Sequence, residues 1–371
     1  MEFDFFMPVK TVSGRDAVLH NSELLSNFGK RCLMVTGGSS ARLSGALKDV
    51  QTVLKNERIG YRVFDGIGQN PLISDCHAAG EQAREFGADF IIGIGGGSPL
   101  DASKAVAIYA TNGDLQPMDI YKRAYKNDPL PVVLIGTTAG TGSEVTSVAV
   151  LTMDESGRKK SILGADCYAK LAFADPKYTY SVPFDVTVST ALDAFSHGVE
   201  AWFTPTCAGV LKCFAQKGIP MLWTALKELH KTGELPTTVM RDELYYGSLY
   251  AGLVINNTGT AFPHPLGYVL TENYDVPHGK ACAMFLPSFL DRANSYEPEK
   301  LAELLTLLET DKDTLNRTIR DLTGFADIQI TPEQAADFAE RWAAEPPKNF
   351  VTSPGGLTAK DAEDILAKLQ D

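Results

Sequence analysis

Long hydrophobic runs are missing from this 371-residue sequence. No apolar stretch approaches the ~18–20 residues of a membrane-spanning helix. Basic residues are in deficit, with 34 Lys and Arg against 46 Asp and Glu and a formal net charge of −12. A chain that acidic repels phosphate backbones and anionic headgroups, so neither nucleic acid nor a membrane surface is an expected partner. The six cysteines (Cys32, Cys76, Cys167, Cys207, Cys213, Cys282) form no CxxC pair, zinc-ribbon spacing or dense framework, which points to free thiols in a reducing compartment. A basic leader is also lacking, because Glu2 and Asp4 stand where a secretory signal carries positive charge; the expected location is cytoplasmic. Repeats, low-complexity tracts and blocks of like charge are absent. The 44% hydrophobic and 22% charged residues are those of an ordinary globular protein, and a chain this long buries about 75% of its extended surface without metals or cross-links to hold it. A metal, if present, therefore needs another reason.

Short apolar runs alternate with amphipathic segments through the first half. Arg31–Thr36, Tyr61–Phe64, Phe90–Ile94, Val132–Ile135 and Leu171–Ala174 read as strands. Leu43–Asn56 and Ser74–Phe86 read as helices between them, and strand–helix–strand repetition implies a mainly parallel, doubly wound sheet. After about Pro183 helical patterns take over: Val186–Phe203, Lys212–Lys231, Asp242–Ile255, Glu297–Glu309, Pro332–Ala344 and Thr358–Leu369. The expected division is residues 1–182, an α/β dinucleotide-binding domain, and residues 183–371, an all-α metal-binding and catalytic domain.

Two glycine loops follow predicted strands. In the first, Gly95-Gly96-Gly97 leads into Ser98, Pro99 and Asp101. Ser98 is the expected N-cap, Pro99 the first helical residue and Asp101 the partner of a capping-box-like pair. Free amides at such a helix start suit a pyrophosphate, although the third glycine of the dinucleotide fingerprint is absent and a plain strand-to-helix turn reads equally well. The second, Gly136 to Glu144, offers the hydroxyls of Thr137, Thr138, Thr141 and Ser143 among three glycines; as a bland alternative it is a polar hairpin. Two such loops after strands of one sheet favour a ligand at the sheet's carboxyl edge.

Of only six histidines, three fall beside turn or helix signals in the second half. Asp193 and His197 are four apart on a predicted helix and share a face. His264, between Pro263 and Pro265, and His278, between Pro277 and Gly279, stand where helices should begin or end. One carboxylate and three neutral imidazoles suit iron or zinc and suit magnesium or calcium badly. Spacing alone also fits a surface ion pair and ordinary loop histidines. His20, His77 and His230 read as surface or turn residues, and Glu200 as a solvated helix residue rather than an orienter of a ligand.

With these motifs assembled, the chain resembles the iron-containing (group III) alcohol dehydrogenase family over nearly its full length. The resemblance rests on Gly95 to Asp101, Thr137 to Glu144, Asp193 to Trp202 (DAFSHGVEAW) and Ala251 to Gly279. It implies an N-terminal Rossmann-like parallel-sheet domain and a C-terminal helical-bundle domain, a dehydroquinate synthase-like architecture, with nicotinamide cofactor and metal in a cleft between them. By position it makes Asp193, His197, His264 and His278 the ligands of Fe2+ or Zn2+. Many relatives carry a further histidine four residues after the third ligand, where this chain has Tyr268, a candidate catalytic hydrogen-bond partner. A rival pairing puts Thr260 at the ligand position and needs four extra residues before His278; the gapless one is preferred. The family also implies that Gly95, Gly96, Gly97, Ser98, Asp101, Thr137, Thr138, Thr141 and Ser143 form the cofactor site, joined by Gly37, Ser39, Ser40 and Asn70 and flanked by Lys160, whose bland reading is a solvated charge. The expected activity is metal-dependent hydride transfer between NAD(P)(H) and a small alcohol, aldehyde or diol, by a homodimer.

The turn Gly37-Gly38-Ser39-Ser40-Ala41-Arg42 holds no acid to take ribose hydroxyls, so NADP is expected over NAD. Trp202, Cys207, Phe262, Tyr268 and Phe350 are candidate pocket walls. Two other functions compete. A lyase of the dehydroquinate synthase type needs several bases around the metal, and only Lys280 follows a ligand segment closely. A nucleotide-binding sensor without chemistry has no use for the metal quartet.

Overall fold

Apolar residues on both faces of a strand need cover on both sides, and that condition organises the first half of the chain. In the computed structural model, which describes residues 3–324 and 328–369, there are eight strands: β1 (Lys10–Ser13), β2 (Arg31–Thr36), β3 (Gly60–Phe64), β4 (Phe90–Gly95), β5 (Val132–Gly136), β6 (Val148–Thr152), β7 (Lys159–Leu163) and β8 (Leu171–Ala174). Six form one sheet in the order β1-β8-β5-β4-β2-β3, every pair parallel. β6 and β7 pair antiparallel as a separate ribbon. The helices of this unit are α1 (Ala17–His20), α2 (Ser40–Leu43), α3 (Ala46–Asn56), α4 (Ile73–Phe86) and α5 (Gly97–Thr111). Leu33 and Val35 of β2 join the core that holds Ile73, Ala79 and Val106, while Cys32 and Met34 join the one that holds Val50 and Leu54. Alternate residues of one strand thus feed two cores, which is why the strands read as continuous apolar runs.

The sheet order places the loops. The chain leaves β2 for β3 on one side and then crosses to β4 on the other, so the strand order reverses at β2. Open parallel sheets bind ligands outside the carboxyl ends of their strands at such a point. The turn after β2 and the glycines after β4 both lie there. Gly95 and Gly136 are register partners at the ends of β4 and β5, which brings the second loop alongside the first.

Local expectations were revised at three places. The predicted helix Leu43–Asn56 starts only at Ala46 as α3, and Leu43 instead ends the separate short α2, because Gly45 turns the chain through φ 83°, a conformation that only glycine adopts at little cost. Gly96, not Ser98, caps α5; Gly97 is its first residue and Ser98 and Pro99 complete the turn, so the helix begins earlier than the Ser-Pro signal implied. β1, β6 and β7 were not among the predicted strands: β1 and β7 are short, mixed in polarity and partly exposed, whereas β6 is an apolar run, VAVLT, that stands apart from the main sheet.

The chain divides into two compact units, Met7–Val182 and Pro183–Asp371 together with Met1–Phe6. The second unit is helical among its described residues: α6 (Phe184–Phe203), α7 (Val210–Thr232), α8 (Thr238–Thr258), α9 (Pro263–Tyr274), α10 (His278–Ala283), α11 (Leu286–Tyr296), α12 (Pro298–Leu307), α13 (Lys312–Thr323), α14 (Pro332–Glu340), α15 (Lys348–Val351) and α16 (Ala359–Ala367). α6 is buried on every side from Ala191 to Phe203, the property of a central helix. Its polar residues are therefore the informative ones. α9, α10, α11, α13 and α15 carry no counterpart in the predicted helices; four of them start at or beside a proline, which reads as a break in a sequence but is well placed at a helix start. No described helix is long and apolar enough to cross a membrane.

Below the glycine loops, Lys104 of α5 is wholly buried. Its Nζ donates to the carbonyls of Thr146 and Val148 at 3.1 and 2.7 Å and lies 3.7 Å from Asp101 Oδ1. Burial pulls the lysine pKa down and pushes that of Asp101 up, so each charge depends on the other. Lys104→Met is expected to cost about 3–5 kcal/mol of stability, since it strands a buried carboxylate; a urea midpoint equal to that of the wild type would contradict this.

Candidate metal centre and nucleotide loops

Three imidazoles surround one carboxylate oxygen. Asp193 Oδ1 lies 3.8 Å from His197 Nε2, 3.6 Å from His264 Nε2 and 3.7 Å from His278 Nε2. These separations are too long for hydrogen bonds. They are close to the ~3.4 Å edge of a tetrahedron whose four donors each sit about 2.1 Å from a central ion. Oδ1 of Asp193 and Nε2 of His264 are buried and have no hydrogen-bond partner, a costly state for polar atoms that an ion would relieve. Asp193, His197 and His264 are almost fully buried, whereas His278 is partly open.

Helix geometry explains the convergence. Asp193 and His197 face the same way from α6, His264 is the second residue of α9 and His278 the first of α10. Close helix contact brings them together. A Cβ at Gly279 would stand 1.8 Å from the carbonyl oxygen of Ser189 and 2.8 Å from Asp193 Cβ, and one at Gly267 would meet Cys282 Sγ at 2.7 Å. Glycine at both positions lets α10 lie against α6 and α9. The rings of His197 and His264 stack at 4.6 Å.

The electrostatics favour positive charge. Burial pushes the Asp193 carboxyl up, but His197, His278 and His264 outweigh it and hold the group well below its ordinary range. Burial likewise opposes an imidazolium at His264, yet Cys282, Glu200 and Asp193 raise its pKa well above the usual value.

Two neighbours escaped the sequence reading. Glu200, expected to be solvated, is fully buried; its Oε1 lies 2.7 Å from His264 Nδ1 and its Oε2 accepts the Ala261 amide at 2.7 Å. It follows His197 by three positions on the buried face of α6, and a periodicity identifies a shared face without saying that the helix is enclosed. Cys282 belongs with Asp193, His264 and His278 to a group of potential ligand atoms within 4.8 Å of one another. Its sulfur, however, is 3.6 Å from His278 Nδ1 and 3.8 Å from Nε2. Near-equal distances put it beside the ring rather than beyond the Nε2 tip. The i, i+4 spacing from His278 was the available signal.

Tyr268 stacks on the His278 ring at 5.5 Å. Thr260 is engaged elsewhere, its Oγ1 accepting from Asn349 at 2.7 Å, so His264 rather than Thr260 stands by Asp193. Phe262 and Phe350 are core residues, packed on Phe289 and Trp342. Trp202 is buried with its indole N–H on the Lys300 carbonyl, and Cys207 is half-buried. His77 meets the Leu115 carbonyl and His230 pairs with Asp321.

In the other unit the two glycine loops touch. The Thr137 amide donates to the Gly95 carbonyl at 2.8 Å, and a Cβ at Gly97 or Gly96 would meet Thr141 Cγ2 at 2.5 Å or Thr138 Oγ1 at 3.2 Å. Thr137 Oγ1 is buried without a partner. Asp101 does not cap α5 as expected: its carboxylate accepts from Ser143 Oγ at 2.5 Å and from the Val150 amide at 2.8 Å. Gly37 packs on the Ile67 carbonyl, Ser39 is exposed and Ser40 half-buried, and Asn70 takes a left-handed φ of 58°. Lys160 is exposed on β7, its ammonium 4.7 Å above the Tyr121 ring.

Comparison with known proteins identifies the family. The profile of the iron-containing alcohol dehydrogenases matches residues 8–176, and that of the Fe-containing alcohol dehydrogenase C-terminal region matches 187–369. The chain belongs to the iron-containing alcohol dehydrogenase family. Among its relatives, 1,3-propanediol dehydrogenase of Citrobacter freundii is 31% identical over 85% of this chain and 81% of its own length. An iron-containing alcohol dehydrogenase from Thermotoga maritima superposes with a TM-score of 0.90 at 31% identity, covering 99% of both chains. Sulfoacetaldehyde reductase from Bifidobacterium kashiwanohense, solved in complex with NAD+, gives 0.87 at 26% identity over 100% of each chain. The Rossmann-like sheet and helical second half are thus those of an enzyme of this dehydrogenase family.

If the four donors hold a divalent ion, the ion stabilises the fold that presents them. Zn2+ at a hundredfold excess over its Kd is expected to add about 2.7 kcal/mol, Mg2+ to add nothing comparable, and Asp193→Asn to abolish the gain. Calorimetric melting checks this, and an equal response to both metals would contradict it.

Proposed function

We propose that this protein is a metal-dependent oxidoreductase that moves hydride between a nicotinamide dinucleotide and a small primary alcohol, its aldehyde or a diol. The observation that carries the reading is the closure of three imidazole nitrogens around Asp193 Oδ1 at 3.6–3.8 Å. An Asp and three His form an N/O donor set suited to Fe2+ or Zn2+. Such an ion supplies Lewis acidity to an alcohol or carbonyl oxygen, and the nicotinamide supplies or takes up the hydride.

The chain's own residues do the rest. Asp193, His197, His264 and His278 place the charge, and burial of the first three excludes water from their side of it. Tyr268, lying over His278, offers a phenol from the next turn of α9 as a hydrogen-bond partner. The amides of Gly95, Gly96, Gly97 and Ser98 at the start of α5 take pyrophosphate; Thr137, with an unused buried hydroxyl, and Thr138 and Thr141 line the same edge. Asp101 and Ser143 brace the two loops against each other, and Gly37, Ser39, Ser40 and Asn70 shape the adenosine side with Lys160 at its margin. The relatives that act on propanediol and sulfoacetaldehyde support a short substrate. The reading includes a homodimer and, with six free cysteines, a reducing cytosol.

NADP is the proposed preference over NAD. Ser39, Ser40 and Arg42 follow β2, and the Arg42 guanidinium meets Asp65 at 2.7 Å with both side chains more than half exposed. An exposed pair of that kind is worth about 0–1 kcal/mol, so a 2′-phosphate competes for the guanidinium at small cost. Zn2+- or Fe2+-loaded protein is expected to oxidise NADPH faster than NADH at matched concentrations with short aldehydes. Arg42→Ala should reduce that preference several-fold, and chelation should stop both reactions. A strong NADH preference contradicts the cofactor assignment, and undiminished turnover after metal removal contradicts the mechanism.

A further inference from the structure

We propose that Glu200 is the positioning residue of the metal centre: it holds His264 in the Nδ1–H tautomer and thereby reserves Nε2 for the ion. The inference rests on the metal reading above. Both Glu200 oxygens are in use inside a fully buried pocket, Oε2 accepting the Ala261 amide at 2.7 Å and Oε1 lying 2.7 Å from His264 Nδ1. Ionised, Glu200 only accepts, so in that state the short contact to Nδ1 places the proton on that nitrogen. With a cation bound the ring is neutral and its lone pair lies on Nε2, the atom that lies 3.6 Å from Asp193 Oδ1 without a hydrogen-bond partner. Metal-bound histidines depend on this kind of support for tautomer and orientation.

The placement adds two consequences. Asp193, His197 and Glu200 lie on one face of α6, so a single helix delivers two donors and the group that aims a third from α9. Through Ala261 the same carboxylate also ties the segment just before α9, fixing where His264 starts. The charges balance as well: two carboxylates and neutral imidazoles need one divalent cation, and an enclosed site is stable only when its charges are matched.

The test uses the full chain loaded with Zn2+ and labelled with 15N at its histidine rings. The expected spectrum shows His264, assigned against His264→Asn, with a proton on Nδ1 and a metal-shifted Nε2. Glu200→Gln, which can accept only one of the two donors, should weaken Zn2+ binding by about 10–100-fold in competition with a chromophoric chelator. A purely structural clamp would lower the melting temperature of Glu200→Gln and leave the zinc affinity unchanged, and that result overturns the proposal. So does a wild-type spectrum in which zinc is bound but Nδ1 of His264 carries no proton, a measurement that needs no variant to fold. A wild type that takes up no zinc overturns the metal reading along with it.

Discussion

Like-minded polar groups do not gather in a protein interior without a reason. Asp193 brings an anionic oxygen into a buried site and leaves it beyond hydrogen-bonding distance of three ring nitrogens. Three features of the helical unit meet at that cluster: α6 is enclosed from Ala191 to Phe203, α9 and α10 carry their histidines in the first two positions, and glycines stand where the helices meet. Removing the charge at the centre would leave a set of packing compromises without a purpose.

Glycine solves the same problem in both units. At Gly267 and Gly279 it lets helices approach until His264, His278 and Asp193 share a centre. At Gly96 and Gly97 it lets one loop lie on Thr138 and Thr141 of the next. The buried Lys104–Asp101 pair then pins the second loop to α5. Helices carry the clustered donors, and the loops are held by contacts beneath them.

Much of this was legible in the sequence, for identifiable reasons. Strands buried on both faces leave unbroken apolar runs, so β2, β4, β5 and β8 stood out; β3 was legible despite partial exposure, the mixed and partly exposed β1 and β7 were not, and the apolar run of β6 was not among the predicted strands. Asp193 and His197 announced a shared face by their spacing. That spacing is also the spacing of a surface ion pair, and only the enclosure of α6 separates the two. His264 and His278 belong to different helices whose approach depends on glycines at 267 and 279, a three-dimensional fact with no local signature. Glu200 was misread for the same reason: its period places it beside His197, but its burial comes from neighbours far along the chain.

The most direct test of the account is X-ray absorption at the metal edge of the zinc- or iron-loaded protein. The account requires nitrogen and oxygen neighbours at about 2.0–2.2 Å with the outer-shell scattering of several imidazole rings. A shell of oxygens without imidazole scattering would contradict it, because the ion would then be held somewhere other than among Asp193, His197, His264 and His278.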